Sequence, residues 1–294
     1  MNNSLLNNEG INEIINSDVF AEVLSRDNYY EEVIDSNKSK TVIYFSSNGI
    51  YFPNTIDAFS KEIYQNDKFE LSNPRNQIKN SAKNVYIRDI YKQWYFKGIN
   101  KNINTIDKLI EFVSNNYDPN DLTLVGISSG GYIASLIGSV INANRVFNFS
   151  GQFDLIKHAL KNKKTINQNP ILREYQNHPD FQSYYNLSSF LKNSETKIYY
   201  FSGINKWDLP QYELFNKYEN VISYRIKTEL HGVPFPIIAL PKILNLDDQE
   251  LISLSNRMSD KTSVFKFLSL IYPKHELFTK VLPFYFRKIK KKFI

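Results

Sequence analysis

The stretch LVGISSGGYIASLIG, from Leu124 to Gly138, most constrains what this chain can fold into. It begins as an apolar run that reads as a strand and ends as one that reads as a helix. Between them lies Gly126-Ile127-Ser128-Ser129-Gly130, which fits G-x-S-x-G. A strand that turns straight into a helix lifts the residue at the bend above the sheet edge. Crowding in that bend demands small residues two before and two after it. Ser128 has Gly126 and Gly130 there, whereas Ser129 would have Ile127 and Gly131 and suits the bend less well. The alternative is a tight connection that contains serine by chance, and the pattern alone leaves both open.

The surroundings narrow the choice. Residues 41–46, 84–87, 123–127, 145–150, 197–202 and 221–226 read as short strands. Ile106, Leu109, Ile110 and Val113 recur at i, i+3, i+4 and i+7, one face of a helix. Strands alternating with helical segments predict an α/β chain, a mostly parallel central sheet with helices on both faces. The polar N-terminal 38 residues read as helical in part. The chain has only ten glycines, and Gly49, Gly126, Gly130, Gly131, Gly151, Gly203 and Gly232 fall in or just past predicted strand ends. An open parallel sheet binds its ligand outside those ends.

Composition excludes several classes. A chain of 294 residues suits one large domain or one domain with additions. No apolar run reaches the ~18 residues that cross a bilayer. The start MNNSLLNNEGINEIINSD lacks the basic end and apolar middle of a secretory signal, so a cytoplasmic protein is expected. Without cysteine there are no disulfides, thiol chemistry or Cys-bound zinc, and the four histidines show no H-E-x-x-H spacing, so no metal is expected. Much of the net charge of +6 lies in Arg287-Lys288-Ile289-Lys290-Lys291-Lys292. The remainder is close to neutral, which argues against nucleic-acid binding by the body. The tail VLPFYFRKIKKKFI fits a peripheral contact with an anionic membrane face, or else is a solvated end. Nothing in the pattern sets an oligomeric state.

A serine hydroxyl becomes a nucleophile when a neighbouring base takes its proton. His231 lies just past the last predicted strand, and Asp208 lies five residues past Gly203, beyond the strand before it. Ser128, Asp208 and His231 thus stand in the order Ser–Asp–His, each at a strand end. Asp154 is the alternative acid. Glu229 shares a short loop with His231 and would struggle to face its ring. His158 and His178, in a polar segment, and His275, near the C-terminus, read as solvated surface residues. The bland alternative is an inert serine and a satisfied core histidine. For a developing oxyanion, the expected donors are the backbone N–H of Ser129 and one N–H from the loop after residues 41–46, at Ser47 or Asn48.

With these residues placed, the chain resembles the α/β-hydrolase superfamily over about residues 41–258, on GISSGG, on WDLP around Asp208 and on LHGVP around His231. More loosely, it is similar to bacterial enzymes of that fold in capsule or surface-glycan synthesis, acetyl-CoA-dependent polysaccharide O-acetyltransferases among them. That likeness rests on Tyr86-Ile87-Arg88-Asp89 followed by Trp94-Tyr95 and Gly98, and on Ser-Asn-Gly at 47–49 where lipases often carry His-Gly-Gly. The departure from the lipase loop makes a lipid or simple ester a less expected substrate. The resemblance implies that Ser128 carries the acyl group, His231 acts as base and then acid, and Asp208 holds the imidazole. It implies acetyl-CoA as co-substrate, no bound cofactor and a glycan hydroxyl as acceptor. It also implies a cap-like helical insertion at about 152–196, after the sixth strand of that fold (here 145–150), in a domain of residues 39–260. Residues 1–38 and 261–294 would be extensions. Lys161, Lys163, Lys164 and Arg173 of the insertion would hold an acidic glycan or CoA phosphates, or be solvated. Arg88, Trp94 and Trp207 are candidate substrate contacts; alternatively Arg88 pairs with Asp89 and the tryptophans pack in the core. An esterase or deacetylase with the same triad stays open. So does a non-catalytic scaffold, against which the intact Ser–Asp–His order argues.

Overall fold

The computed structural model describes residues 8–160, 169–260 and 262–283. Lys161, Lys163, Lys164 and the basic run 287–292 lie outside the described residues. Seven strands form one sheet: β1 (Tyr29–Val33), β2 (Thr41–Phe45), β3 (Lys83–Ile87), β4 (Leu122–Ile127), β5 (Arg145–Phe149), β6 (Lys197–Ser202) and β7 (Val221–Arg225). Their order is β1-β3-β2-β4-β5-β6-β7. β1 is antiparallel to β3, and every other neighbouring pair is parallel. With helices on both faces, this is the α/β-hydrolase fold.

Parallel strands covered on both faces must be apolar on both. Ile43, Phe45, Leu122, Leu124, Ile198 and Tyr200 face one layer, with the helices Ile106–Asn116 and Ser129–Ile141. Val42, Tyr44, Val125, Tyr199 and Phe201 face the other, against Leu240, Ile243, Leu251, Leu254, Phe267 and Leu268. Each fully buried side chain of this kind contributes ~1.5–3 kcal/mol. The chain leaves β2 for β3 on one side, then returns to lay β4 on the other. That reversal separates the loops leaving the carboxyl ends of β2 and β4 and opens a crevice between them.

The N-terminal segment is helical in part, and it also adds a strand that the sequence reading did not include. After two short helices, Asn8–Ile15 and Asp18–Leu24, it supplies the edge strand β1. YYEEV escapes notice because an edge strand keeps polar side chains such as Glu31 and Glu32. Ile14, Phe20 and Val23 pack on Ile50, Tyr51, Phe59, Ile63 and Ile90, so this segment braces the loop that follows β2. Between β5 and β6 lie the helical turns Ile156–Leu160, Pro170–Tyr175, Pro179–Gln182 and Ser188–Lys192. Counted along this chain the insertion follows the fifth strand, since a single strand precedes β2. Among the described residues, no helix is long and apolar enough to cross a membrane.

Candidate active site

Ser128 is the bend between β4 and the helix Ser129–Ile141, at φ 53° and ψ −119°. For a residue with a Cβ this conformation costs about 1–3 kcal/mol and persists only where its surroundings impose it. Here they do: its N–H donates to Phe149 O at 2.8 Å, and its C=O accepts from Tyr132 N at 3.0 Å. Contact explains the two glycines. A Cβ on Gly126 would lie 2.0 Å from Gly130 O, and one on Gly130 would lie 2.3 Å from Phe45 O. The second contact also shows that the helix start touches the end of β2. The elbow and the loop at 46–49 therefore face each other across the crevice.

His231, in the loop beyond β7, comes to the same point. Its Nε2 is 2.8 Å from Ser128 Oγ and its Nδ1 is 2.7 Å from Asp208 Oδ1. One tautomer serves both bonds: Nδ1–H donates to the carboxylate, and the Nε2 lone pair accepts the serine O–H. Asp208 begins the helix Asp208–Phe215 and is 1% exposed. A carboxylate so buried needs donors on both oxygens. Oδ2 accepts from Asn205 Nδ2 at 2.6 Å and from Ser150 Oγ at 2.9 Å. Asn205 also accepts the N–H groups of Trp207 and Asp208, both at 3.0 Å, and so fixes the turn that presents the acid.

Neither Ser150 nor Asn205 was picked out from the sequence. Asn205 did carry a signal, an asparagine placed to accept backbone N–H groups two and three residues on. Ser150 carried none beyond ending its strand. The rival acid is occupied elsewhere: Asp154 Oδ1 accepts Lys157 N, and its Oδ2 accepts Asn186 Nδ2. Glu229, His178 and His275 are exposed.

His158 is not the solvated residue that its segment suggested. It is half-buried on the turn Ile156–Leu160, with its ring edge-on to Trp94 at 6.1 Å. Burial, reinforced by the charge of nearby His231, pushes its imidazole down to about 4, so it is neutral at physiological pH. The segment reads as polar, but it folds back so that His158 lies against Trp94.

The two loop donors named from the sequence part company. Ser47 N–H donates to Glu70 Oε2 at 2.5 Å, and Ser47 Oγ to Glu70 Oε1 at 3.1 Å. Burial raises the Glu70 carboxyl, and the Ser47 donors offset this only in part. Ser47 N–H is thus committed to Glu70. Asn48 Oδ1 is buried with no partner among the described residues. On the other side, Ser129 N–H stands at the first helical position, where no intrahelical acceptor exists.

Arg88 and Asp89 do not pair with each other. Arg88 is 1% exposed; its Nε donates to Asn28 Oδ1 at 3.0 Å, one Nη to Lys68 O at 3.0 Å and the other to Asp67 Oδ1 at 2.7 Å. Stacked on Phe69 as well, it ties the N-terminal segment down and is not brought to the crevice. Asp89 accepts the N–H groups of Tyr91, Lys92, Gln93 and Tyr95. Burial still pushes its carboxyl up to about 6. This clamp holds Lys92, Trp94 and Tyr95 at φ values of 57°, 52° and 64°. Tyr95 Oη then donates to Ser46 O at 2.8 Å and steadies the loop after β2. Trp94 is 5% exposed with Nε1 bonded to Gln152 Oε1 at 2.7 Å, so it forms wall, not an open stacking face. Trp207, by contrast, is 46% exposed beside Asp208 in the chain. His231 is 31% exposed at its side chain, so the Ser128–His231 pair opens to solvent.

No protein-family model matches the chain, and no curated protein matches it. Solved structures resemble it in shape. The capsule O-acetyltransferase of Neisseria meningitidis serogroup A matches at 16% identity and a TM-score of 0.46, over 69% of this chain and 84% of that one. A variant of that enzyme in complex with CoA matches at 15% identity and a TM-score of 0.43, over 69% and 85%. Esterase B from Lactobacillus rhamnosis matches at 12% identity and a TM-score of 0.43, over 84% and 88%. The fold assignment itself rests on the strand order and on the elbow at Ser128.

Proposed function

We propose that this chain is a serine acyltransferase that moves an acetyl group from acetyl-CoA to a hydroxyl of a bacterial capsular or surface polysaccharide through acyl-Ser128. The observation that carries acyl transfer is the unbroken line from Asp208 through His231 to Ser128, at 2.7 and 2.8 Å. As Ser128 Oγ attacks the acyl carbonyl, its proton passes to His231 Nε2. Asp208 keeps the Nδ1 proton in place and stabilises the imidazolium, while Ser150 and Asn205 donate to its other oxygen and fix its orientation. The oxyanion accepts from Ser129 N–H and Asn48 N–H, near the positive end of the elbow helix. When the adduct collapses, the C–S bond breaks and His231 returns the proton to the departing thiolate. The acceptor O–H then gives its proton to His231, its oxygen attacks the acyl carbon, the C–Oγ bond breaks and Ser128 regains a proton.

Donor and acceptor come from the sequence resemblance at Tyr86-Ile87-Arg88-Asp89, Trp94-Tyr95 and the Ser-Asn-Gly turn. Use of acetyl-CoA would place the reaction in the cytoplasm. A second reading, an esterase or deacetylase, is favoured by the solvent-open Ser128–His231 pair, since water reaches an acyl-enzyme there. Intact-protein mass after brief incubation with acetyl-CoA tests both, on wild type and Ser128→Ala, with CoA release followed in parallel. An acetyl adduct on the wild type alone supports the transferase. No adduct and no CoA release, beside Ser128-dependent hydrolysis of an aryl acetate, supports the esterase. Silence in every assay would sink both.

A further inference from the structure

At the end of the sheet away from Ser128 lies a groove of about 1080 Å³. Lys40, just before β2, and Arg145, at the start of β5, form part of its floor; Arg75, Lys79 and Lys242 stand around it. Ser128 follows the opposite, carboxyl end of β4, so the groove and the elbow are separate places.

The charges in this groove are unbalanced in a particular way. Its acids are already engaged. Asp247 and Glu250 form a reciprocal cap on the helix Asp248–Asn256, and Asp248 is paired with Lys197 at 2.7 Å and Arg145 at 3.5 Å. Lys40, Arg75, Lys79 and Lys242 have no carboxylate within 4.0 Å among the described residues. Lys40 is half-buried, and its ammonium is weakened by burial and by the like charge of Arg145; Asp121 and Asp248 offset this only in part. Arg145 has Asp248 beside it, so among the described residues Lys40 is the floor cation left without a carboxylate of its own.

We propose that this groove binds a linear polyanion, a polymer bearing phosphate or carboxylate groups along its length. Its volume is at the upper end of ligand sites, so one small anion would leave it mostly empty, whereas a chain could meet Lys40 on the floor and Arg75, Lys79 and Lys242 at the rim. Among the described residues, Tyr272 is the one aromatic side chain in its lining, which disfavours single-stranded nucleic acid, since that ligand is held by stacking on several rings. A flat bilayer would not reach a concave floor.

The test uses the full chain and inorganic polyphosphate as probe, titrated at two salt concentrations. Binding should be far tighter than that of orthophosphate and weaken as salt rises. Lys79→Glu with Lys242→Glu should weaken it about tenfold or more. Both side chains are exposed, and neither has a carboxylate partner among the described residues, so the unfolding midpoint should hold. The proposal is overturned if polyphosphate binds no better than orthophosphate, if the charge reversal leaves binding unchanged in a folded protein, or if vesicles with anionic lipid or single-stranded DNA outcompete the probe. It is overturned too if neutralising Lys290, Lys291 and Lys292 to Gln abolishes binding while the groove reversal does not. None of these readouts depends on the chemistry at Ser128.

Discussion

Gly130→Ala tests how the elbow governs the site. The added Cβ would sit 2.3 Å from Phe45 O and 3.0 Å from Ser46 O, short of ordinary contact by about 1 Å at the nearer atom. Both atoms are backbone and cannot swing away, so the helix start and the end of β2 must part. That gap separates Ser129 N–H from Asn48, the two sides that would hold the oxyanion. A displacement of about 1 Å costs on the order of a hundredfold in rate, and overpacking costs about 1–3 kcal/mol of stability. Gly138→Ala on the same helix is the control. Its Cβ would meet Val146 Cγ2 at 2.5 Å and Leu124 Cδ1 at 3.3 Å, side-chain atoms away from the elbow. It should lower stability by a similar amount and leave turnover nearly intact. Aryl acetate hydrolysis with urea unfolding of each variant reads both effects. If folded Gly130→Ala keeps turnover within about threefold, or Gly138→Ala loses as much, elbow spacing does not set the rate.

Two further variants probe the surroundings of the imidazole. Ser150→Ala removes one donor from buried Asp208; a bond to a charged group is worth ~1.5–3 kcal/mol, so turnover should fall roughly ten- to a hundredfold with KM little changed, and an unaltered rate would show that Asn205 alone suffices. His158 is pushed down to about 4 from 6.5, so the unfolded chain binds this proton more tightly and the folded state loses stability as pH falls from 6.5 toward 4. His158→Gln should flatten the urea midpoint across that window, and an unchanged slope would refute the assignment.

The chain order of its strands and the elbow were legible because both follow from spacing. Buried parallel strands are continuous apolar runs, and a bend between strand and helix needs Gly126 and Gly130 at fixed offsets. Ser128, Asp208 and His231 could be named because each stands at a strand end. What the pattern hid depends on third dimensions of contact. β1 is a polar edge strand, recognisable only beside β3. Ser47 and Asn48 look alike in sequence, and Glu70, more than twenty residues on, sets them apart by taking the Ser47 N–H. Arg88 and Asp89 look like an ion pair, yet neighbouring residues on a chain end at β3 turn to opposite tasks, one toward Asn28 and Asp67, the other toward four backbone N–H groups. Ser150 matters only because β5 and β6 are adjacent, which puts it under the Asp208 carboxylate.

Solvent access at His231 sets a condition on any transferase built this way. An acyl-Ser128 ester beside a side chain 31% exposed would meet water continually. Transfer outruns hydrolysis only where the acceptor hydroxyl is held near the ester at high effective concentration. If the acceptor is an acidic polymer, the groove at Lys40 and Arg145 supplies that hold from a distance. Strands of five or six residues span on the order of 17–20 Å, a reach that a few sugar units cover. A chain anchored there would bring its following units round to the open rim at Trp207. The ratio of transfer to hydrolysis should then rise with acceptor length, and Lys79→Glu with Lys242→Glu should remove that dependence while short acceptors react at their old ratio. A ratio independent of length in the wild type would mean that the two ends of the sheet act apart.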